Sequence, residues 1–121
     1  MNSCQKGKRG ERAWRDQLRE AGYLHARRGQ QFSGSKDSPD VVCEDLPFAH
    51  WEVKCVERLN IEEAMEQARR DATEAKVPFV AHKRNNKGWL VTMDASTFFQ
   101  LLREGQSLLE ANDASIPDHE Q

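Results

Sequence analysis

At 121 residues, with 37% hydrophobic and 31% charged residues and a formal net charge of −2, the chain has room for one domain with a single core, and its composition is globular rather than disordered. No apolar run approaches a membrane span, and the N-terminal Met-Asn-Ser-Cys-Gln-Lys-Gly-Lys has no stretch suited to a secretory signal, so a cytoplasmic protein with no membrane partner is expected. Cys4, Cys43 and Cys55 are odd in number and widely spaced, and His25, His50 and His82 are scattered, which argues against a disulfide framework or a structural zinc site.

Residues 9–21 are predicted to form a helix, because Trp14, Leu18 and Ala21 repeat at helical spacing and Gly22 offers a stop. Tyr23 to Arg28 reads as a short strand. Gly29 to Ser38 is polar and rich in Gly and Ser, a loop that ends at Pro39. Asp40 to Cys43 is a short β-branched run, Glu44 to Pro47 a turn, and Phe48 to Val56 an alternating strand, so the two strands should form a hairpin. Residues 61–76 carry the clearest helical stripe, Ile61, Ala64, Met65, Ala68, Ala72 and Ala75, with Asn60 as N-cap. Val77 to His82 is a strand, Asn85-Asn86-Lys87-Gly88 a turn, and Trp89 to Met93 another strand. Asp94 or Ser96 caps a last helix bearing Phe98, Phe99, Leu101 and Leu102. Residues 104–121 hold five acids and no Lys or Arg, so a domain of residues 1–104 followed by an acidic, flexible tail, 105–121, is expected. The order αβββαββα, with a right-handed crossover through the second helix, gives an α/β (α+β) sandwich around a mixed central sheet.

In the strand His50-Trp51-Glu52-Val53-Lys54-Cys55, alternation puts Glu52 and Lys54 on one face and Trp51, Val53 and Cys55 on the other, toward the core. A solvated face with a cross-strand ion pair would read the same way. Asp40 opens the preceding strand, and hairpin pairing brings it near Glu52. Two carboxylates brought together repel, and a cation relieves the repulsion. Hard oxygen ligands with open water positions suit Mg²⁺ or Mn²⁺. The simpler alternative for Asp40 is a turn-forming Pro-Asp dipeptide. Glu11 lies beside the apolar stripe of the first helix, where it must find compensation: a third place on a metal, direct or through water, or an ion pair with a neighbouring Arg. Charge is uneven as well. Residues 1–36 hold nine Lys or Arg and three acids, as a basic binding face would.

The composite Pro39-Asp40, eleven residues, Glu52-Val53-Lys54 resembles the signature of the restriction-endonuclease-like, or PD-(D/E)xK, nuclease superfamily. Its nearest likeness is to the archaeal-type Holliday junction resolvases and their phage relatives. The supporting segments are Lys6-Gly7-Lys8-Arg9-Gly10-Glu11-Arg12, Gly22-Tyr23, Arg27-Arg28 and the Gly/Ser-rich 29–38, and the likeness spans roughly residues 6–102. The near-neutral charge and acidic tail depart from that pattern. The resemblance implies a restriction-endonuclease-like sandwich and a metal-dependent DNA endonuclease of a prokaryotic or phage-infected cell. It also implies a homodimer selective for branched or junction DNA. A general or nicking nuclease of the same fold, or a non-catalytic nucleic-acid-binding module, is the alternative. In this reading Asp40, Glu52, the Val53 carbonyl and Glu11 hold Mg²⁺ (or Mn²⁺). Lys54 orients or deprotonates the water or stabilises the pentavalent phosphate, and Gln67 helps position the site. Lys6, Lys8, Arg9, Arg12, Arg27, Arg28 and Lys36 meet DNA phosphates.

Overall fold

Trp14 and Leu18 decide which side of the first helix turns inward: both are buried, while Lys8, Arg9, Arg12 and Asp16 stay exposed. The computed structural model describes residues 3–29 and 40–115, with side chains placed for 7–29 and 40–105. Its elements are α1 (Ser3–Glu20), β1 (Ala26–Arg28), β2 (Val41–Cys43), β3 (Ala49–Cys55), α2 (Ile61–Asp71), β4 (Val77–Lys83), β5 (Leu90–Thr92) and α3 (Ala95–Ser115). The five strands form one sheet in the order β1-β2-β3-β4-β5. Three neighbouring pairs are antiparallel, and β3 with β4 is parallel through the α2 crossover. This is the α+β arrangement of a mixed sheet between helices, consistent with a restriction-endonuclease-like fold.

Strand alternation divides the apolar residues between two cores. On one face Trp51, Phe79 and Ala81 pack with Trp14 and Leu18 of α1, and Trp89, Met93 and Leu101 close the edge. The rings form a chain: Trp14 lies 5.0 Å from Trp51 and 5.1 Å from Trp89, and Trp51 stacks on Phe79 at 4.9 Å. Such offset contacts add roughly 0.5–1.5 kcal/mol each beyond burial. On the other face Val80 packs with Ala64, Met65 and Ala68 of α2. Asn60 caps that helix by accepting the Glu63 N–H at 3.1 Å. Arg69 of α2 pairs with Asp94 at the start of α3 (2.5 Å).

The element boundaries differ from the sequence reading for local reasons. Gly22, at φ +106°, ends α1 by a reverse turn in which Tyr23 N–H reaches back to Leu18 O (2.9 Å) and Gly22 N–H to Arg19 O (3.0 Å). With Tyr23 so engaged and the His25 N–H donated to Asp45 Oδ2 (2.9 Å), the first strand begins at Ala26 rather than Tyr23. α2 stops at Asp71 rather than residue 76, because Ala72 is extended (ψ 136°) and the chain must turn to set Val77 beside Ala49. There, register overrides alanine's helix propensity. α3 continues to Ser115, past the expected end of regular structure near residue 105. Its sequence carries Leu108, Leu109 and Ala111 with no proline before Pro117. Phe98, Phe99 and Leu102 of that helix are exposed rather than core. Most of the Gly/Ser-rich loop, with Lys36, lies outside the described residues, as does the side chain of Lys6.

Gly10 fixes how closely α1 lies on the sheet: a Cβ there would stand 2.7 Å from Cys55 Sγ and 3.8 Å from Val53 Cγ1. Gly10→Ala is expected to destabilise the protein by about 1 kcal/mol through overpacking. In a Cys55→Ala background the same change is expected to stabilise it by up to about 1 kcal/mol through helix propensity. Urea denaturation of the four proteins measures both values, and an unchanged sign in the two backgrounds would show that this close approach is absent.

Candidate active site

Register places the two carboxylates. β2 and β3 pair antiparallel with Val41 opposite Trp51, so Asp40 stands across from Glu52. Asp40 N–H donates to Trp51 O at 2.9 Å. Its side chain turns back along the ladder, and Oδ2 accepts the Val53 N–H at 2.8 Å. The Glu52 carboxyl lies close enough across the ladder to act on the Asp40 charge. Burial first, and then the negative charge of Glu52, push the Asp40 carboxyl up to about 7; the Val53 N–H pulls the other way and Glu11 adds to the rise. Asp40 therefore keeps its proton over a range in which an isolated Asp is ionised.

Glu52 is only 2% exposed, and Oε1 meets His50 Nε2 at 3.0 Å. His50 is equally buried. Sequence reading passed over this histidine as one of several scattered ones. Strand parity could have found it, because His50, Glu52 and Lys54 fall on the same face. On that face Lys54 Nζ donates to Gln67 Oε1 at 3.1 Å, so α2 contributes the residue that aligns the ammonium. Gln67 sits three residues beyond buried Ala64, at the edge of the helix's apolar stripe.

Glu11 lies close enough to Asp40 to act on its charge, but its Oε1 is held by Arg28, with Nε and a terminal guanidinium nitrogen each 3.0 Å away. The ion pair with a neighbouring Arg that the sequence left open is present. Arg28 is thus engaged inside the site, while Arg27 is exposed and 3.6 Å from Glu44. Lys8, Arg9 and Arg12 are exposed on α1. Contact of Gly10 with Cys55 puts Lys8 and Arg9 at the end of β3 that carries Lys54.

Among the described residues no three His, Cys, Asp or Glu side chains gather into a metal cage. The donors that do converge are two carboxyls facing each other across the β2–β3 ladder, with the Val53 peptide beside them. That set suits a hard cation that keeps most of its own water, as Mg²⁺ and Mn²⁺ do, and is too sparse for one needing a full protein cage. The raised Asp40 carboxyl marks where positive charge is favoured.

The chain matches the family described as phage putative PDDEXK endonuclease over residues 2–119. Comparison with the curated proteins and with solved structures gives no match. No helix among the described residues is long and apolar enough to cross a membrane.

The carboxyl pair makes the metal-free protein sensitive to pH with a definite sign. Asp40 titrates near 7 in the fold and near 3.8 when unfolded, so the folded state holds an extra proton between those values. The stability this contributes is full below pH 3.8 and is lost as pH rises through 7. Asp40→Asn mimics the protonated acid. In chelator it is expected to match the wild type below about pH 4, to pull ahead progressively up to pH 7, and to exceed it by roughly 4 kcal/mol at pH 8.5. Parallel stability–pH curves for the two proteins, from urea titrations, would contradict the pairing.

Proposed function

The chain belongs to that PDDEXK endonuclease family, and from this premise we propose that it is a divalent-metal-dependent DNA endonuclease acting on branched DNA in the manner of a Holliday junction resolvase. The observation that carries the reading is the placement of Asp40 across the β2–β3 ladder from Glu52, which stands two residues before a lysine on the same strand face. Asp40, Glu52 and the Val53 carbonyl hold the ion, Mg²⁺ or Mn²⁺. When bound, the ion supplies Lewis-acid polarisation of the phosphoryl oxygen and acidifies a water.

The protein's own groups do the positioning. His50, through its contact with Glu52 Oε1, fixes that carboxylate before anything binds. Gln67 holds Lys54 by its Nζ, and the lysine's charge falls on the phosphate oxygens as negative charge builds there. Glu11 acts through Arg28, whose guanidinium offsets the excess of carboxylates around Asp40. Lys8, Arg9 and Arg12 on α1, together with Lys6, Arg27 and Lys36, neutralise backbone phosphates without reading sequence. A homodimer belongs to the proposal: Phe98, Phe99 and Leu102 of α3 and Val91 of β5 are large exposed apolar side chains that a second copy would cover. Two copies related by a dyad present two sites to opposed strands of a junction.

The test is incubation of a synthetic four-way junction, a plain duplex and a single strand with the protein, in Mg²⁺ or in chelator. Symmetric paired nicks in the junction, absent in chelator, are expected. Lys54→Ala is expected to lower the rate at least 10²–10³-fold while remaining folded by circular dichroism. Robust cleavage by Lys54→Ala in Mg²⁺ would contradict the assignment of the site. Uniform degradation of the duplex would replace junction selectivity with general nuclease activity.

A further inference from the structure

A second concave surface lies beside the site, and among the described residues none of those assigned above to the metal or to DNA phosphates lines it. It opens at the carboxyl ends of the parallel strands β3 and β4, where open α/β sheets place their ligands. The first turn of α2 forms one wall and the β4–β5 turn the other. Its volume is about 600 Å³, within the range of sites that enclose a small ligand. Val56, Leu59, Ile61, Trp89 and Leu90 make an apolar floor. Lys83, Arg84 and Lys87 make a cationic rim.

The rim is built rather than incidental. Among the described residues Glu57 is the one acid lining the groove, and its carboxylate accepts the Asn85 N–H at 2.6 Å, which ties the β4–β5 turn to the segment after β3. Within that turn Lys87 N–H donates to Arg84 O at 3.2 Å, and Asn86 takes the left-handed conformation at φ +61°. The turn thereby holds Arg84 and Lys87 at the groove mouth, and Lys83 Nζ lies 5.8 Å over the Trp89 ring. The groove also adjoins the chemistry. His82 lines it and stands directly across the β3–β4 ladder from Lys54, one strand spacing of about 5 Å away.

An apolar floor under a cationic rim fits a ligand with a flat apolar face and an anionic backbone. We propose that this groove receives one unstacked nucleotide of the substrate strand, next to the phosphate that is cut. Its base lies on the floor formed by Leu59, Ile61 and Trp89, and its flanking phosphates meet Arg84 and Lys87. A base inside an intact duplex is stacked on both faces and presents only its edges, so it cannot reach such a floor. An unpaired or extruded base can. The groove therefore selects DNA with unpaired nucleotides at the cleavage point, such as a branch, a flap or a single-stranded tail. This assignment rests on the nuclease reading above and adds the feature of the DNA that the site recognises.

The test is binding by fluorescence anisotropy in chelator, so that it does not depend on cleavage. The full-length protein is titrated onto a blunt 20-base-pair duplex, roughly two helical turns, the same duplex with a short single-stranded tail, and that duplex with the tail bases removed as abasic sites. Wild type is expected to bind the natural tail about tenfold more tightly than the blunt duplex and to lose that preference when the tail is abasic. Arg84→Ala/Lys87→Ala, two exposed turn residues whose loss leaves both cores intact, is expected to remove most of the tail preference and to leave blunt affinity within about twofold. Its log affinity–log salt slope on the tailed duplex should fall by about 1.4, the value for two single-strand phosphates. Equal affinity for natural and abasic tails, or equal weakening on tailed and blunt duplex, overturns the groove assignment. Cleavage is scored separately in Mg²⁺: intact tail preference with no cleavage of any DNA would remove the nuclease reading and keep the groove as a nucleotide-binding site.

Discussion

Two acidic side chains face each other across the β2–β3 ladder, and neither can be moved without moving a strand. Asp40 is fixed by its own N–H on Trp51 O and by the Val53 N–H on its carboxyl, so both its backbone and its side chain are written into the sheet. Glu52 is fixed from the other side by His50. Carboxylates held this close and largely out of water repel, and the protein relieves the repulsion by keeping Asp40 protonated well above the ordinary carboxylate range. That unfavourable pair is what the surrounding fold maintains, and the proposed metal-dependent hydrolysis rests on it.

The rest of the molecule serves that placement. The chain of Trp14, Trp51 and Phe79 rings anchors β3 from below, so that its opposite face can carry His50, Glu52 and Lys54. The α2 crossover covers the face bearing those polar residues and supplies Gln67 to Lys54. The same crossover leaves the carboxyl ends of β3 and β4 uncovered, which is where the groove with its Lys83, Arg84 and Lys87 rim opens. Close approach of α1 at Gly10 brings the basic end of that helix toward the same region. One end of the sheet thus gathers the cations, while the carboxylates sit just inside it.

Features governed by strand parity and hairpin register were legible in the sequence. Alternation alone separates Glu52 and Lys54 from Trp51, and a hairpin from Asp40 to Val56 sets Asp40 against Glu52 before any coordinates are known. The parallel crossover follows from the length and stripe of α2. Features set by partners distant in sequence were not legible. Glu11 could be placed beside the core, but its engagement with Arg28 depends on how α1 lies over β1. His50 shares the parity of Glu52, but strand parity alone does not say that its ring reaches the Glu52 carboxylate. The early end of α2 and the late start of β1 reflect ladder register and the turn after Gly22, which local propensity does not encode. Exposure of Phe98 and Phe99 runs against the ordinary expectation that aromatics of a late helix are core.

The most direct measurement is the anomalous scattering of Mn²⁺ in crystals of the full-length chain grown or soaked in that ion. The account requires one peak between Asp40 and Glu52, within coordination distance of an oxygen of each and of the Val53 carbonyl, with water in the remaining positions. A saturating soak that leaves no peak there, with the two carboxyls turned away from each other, would contradict it.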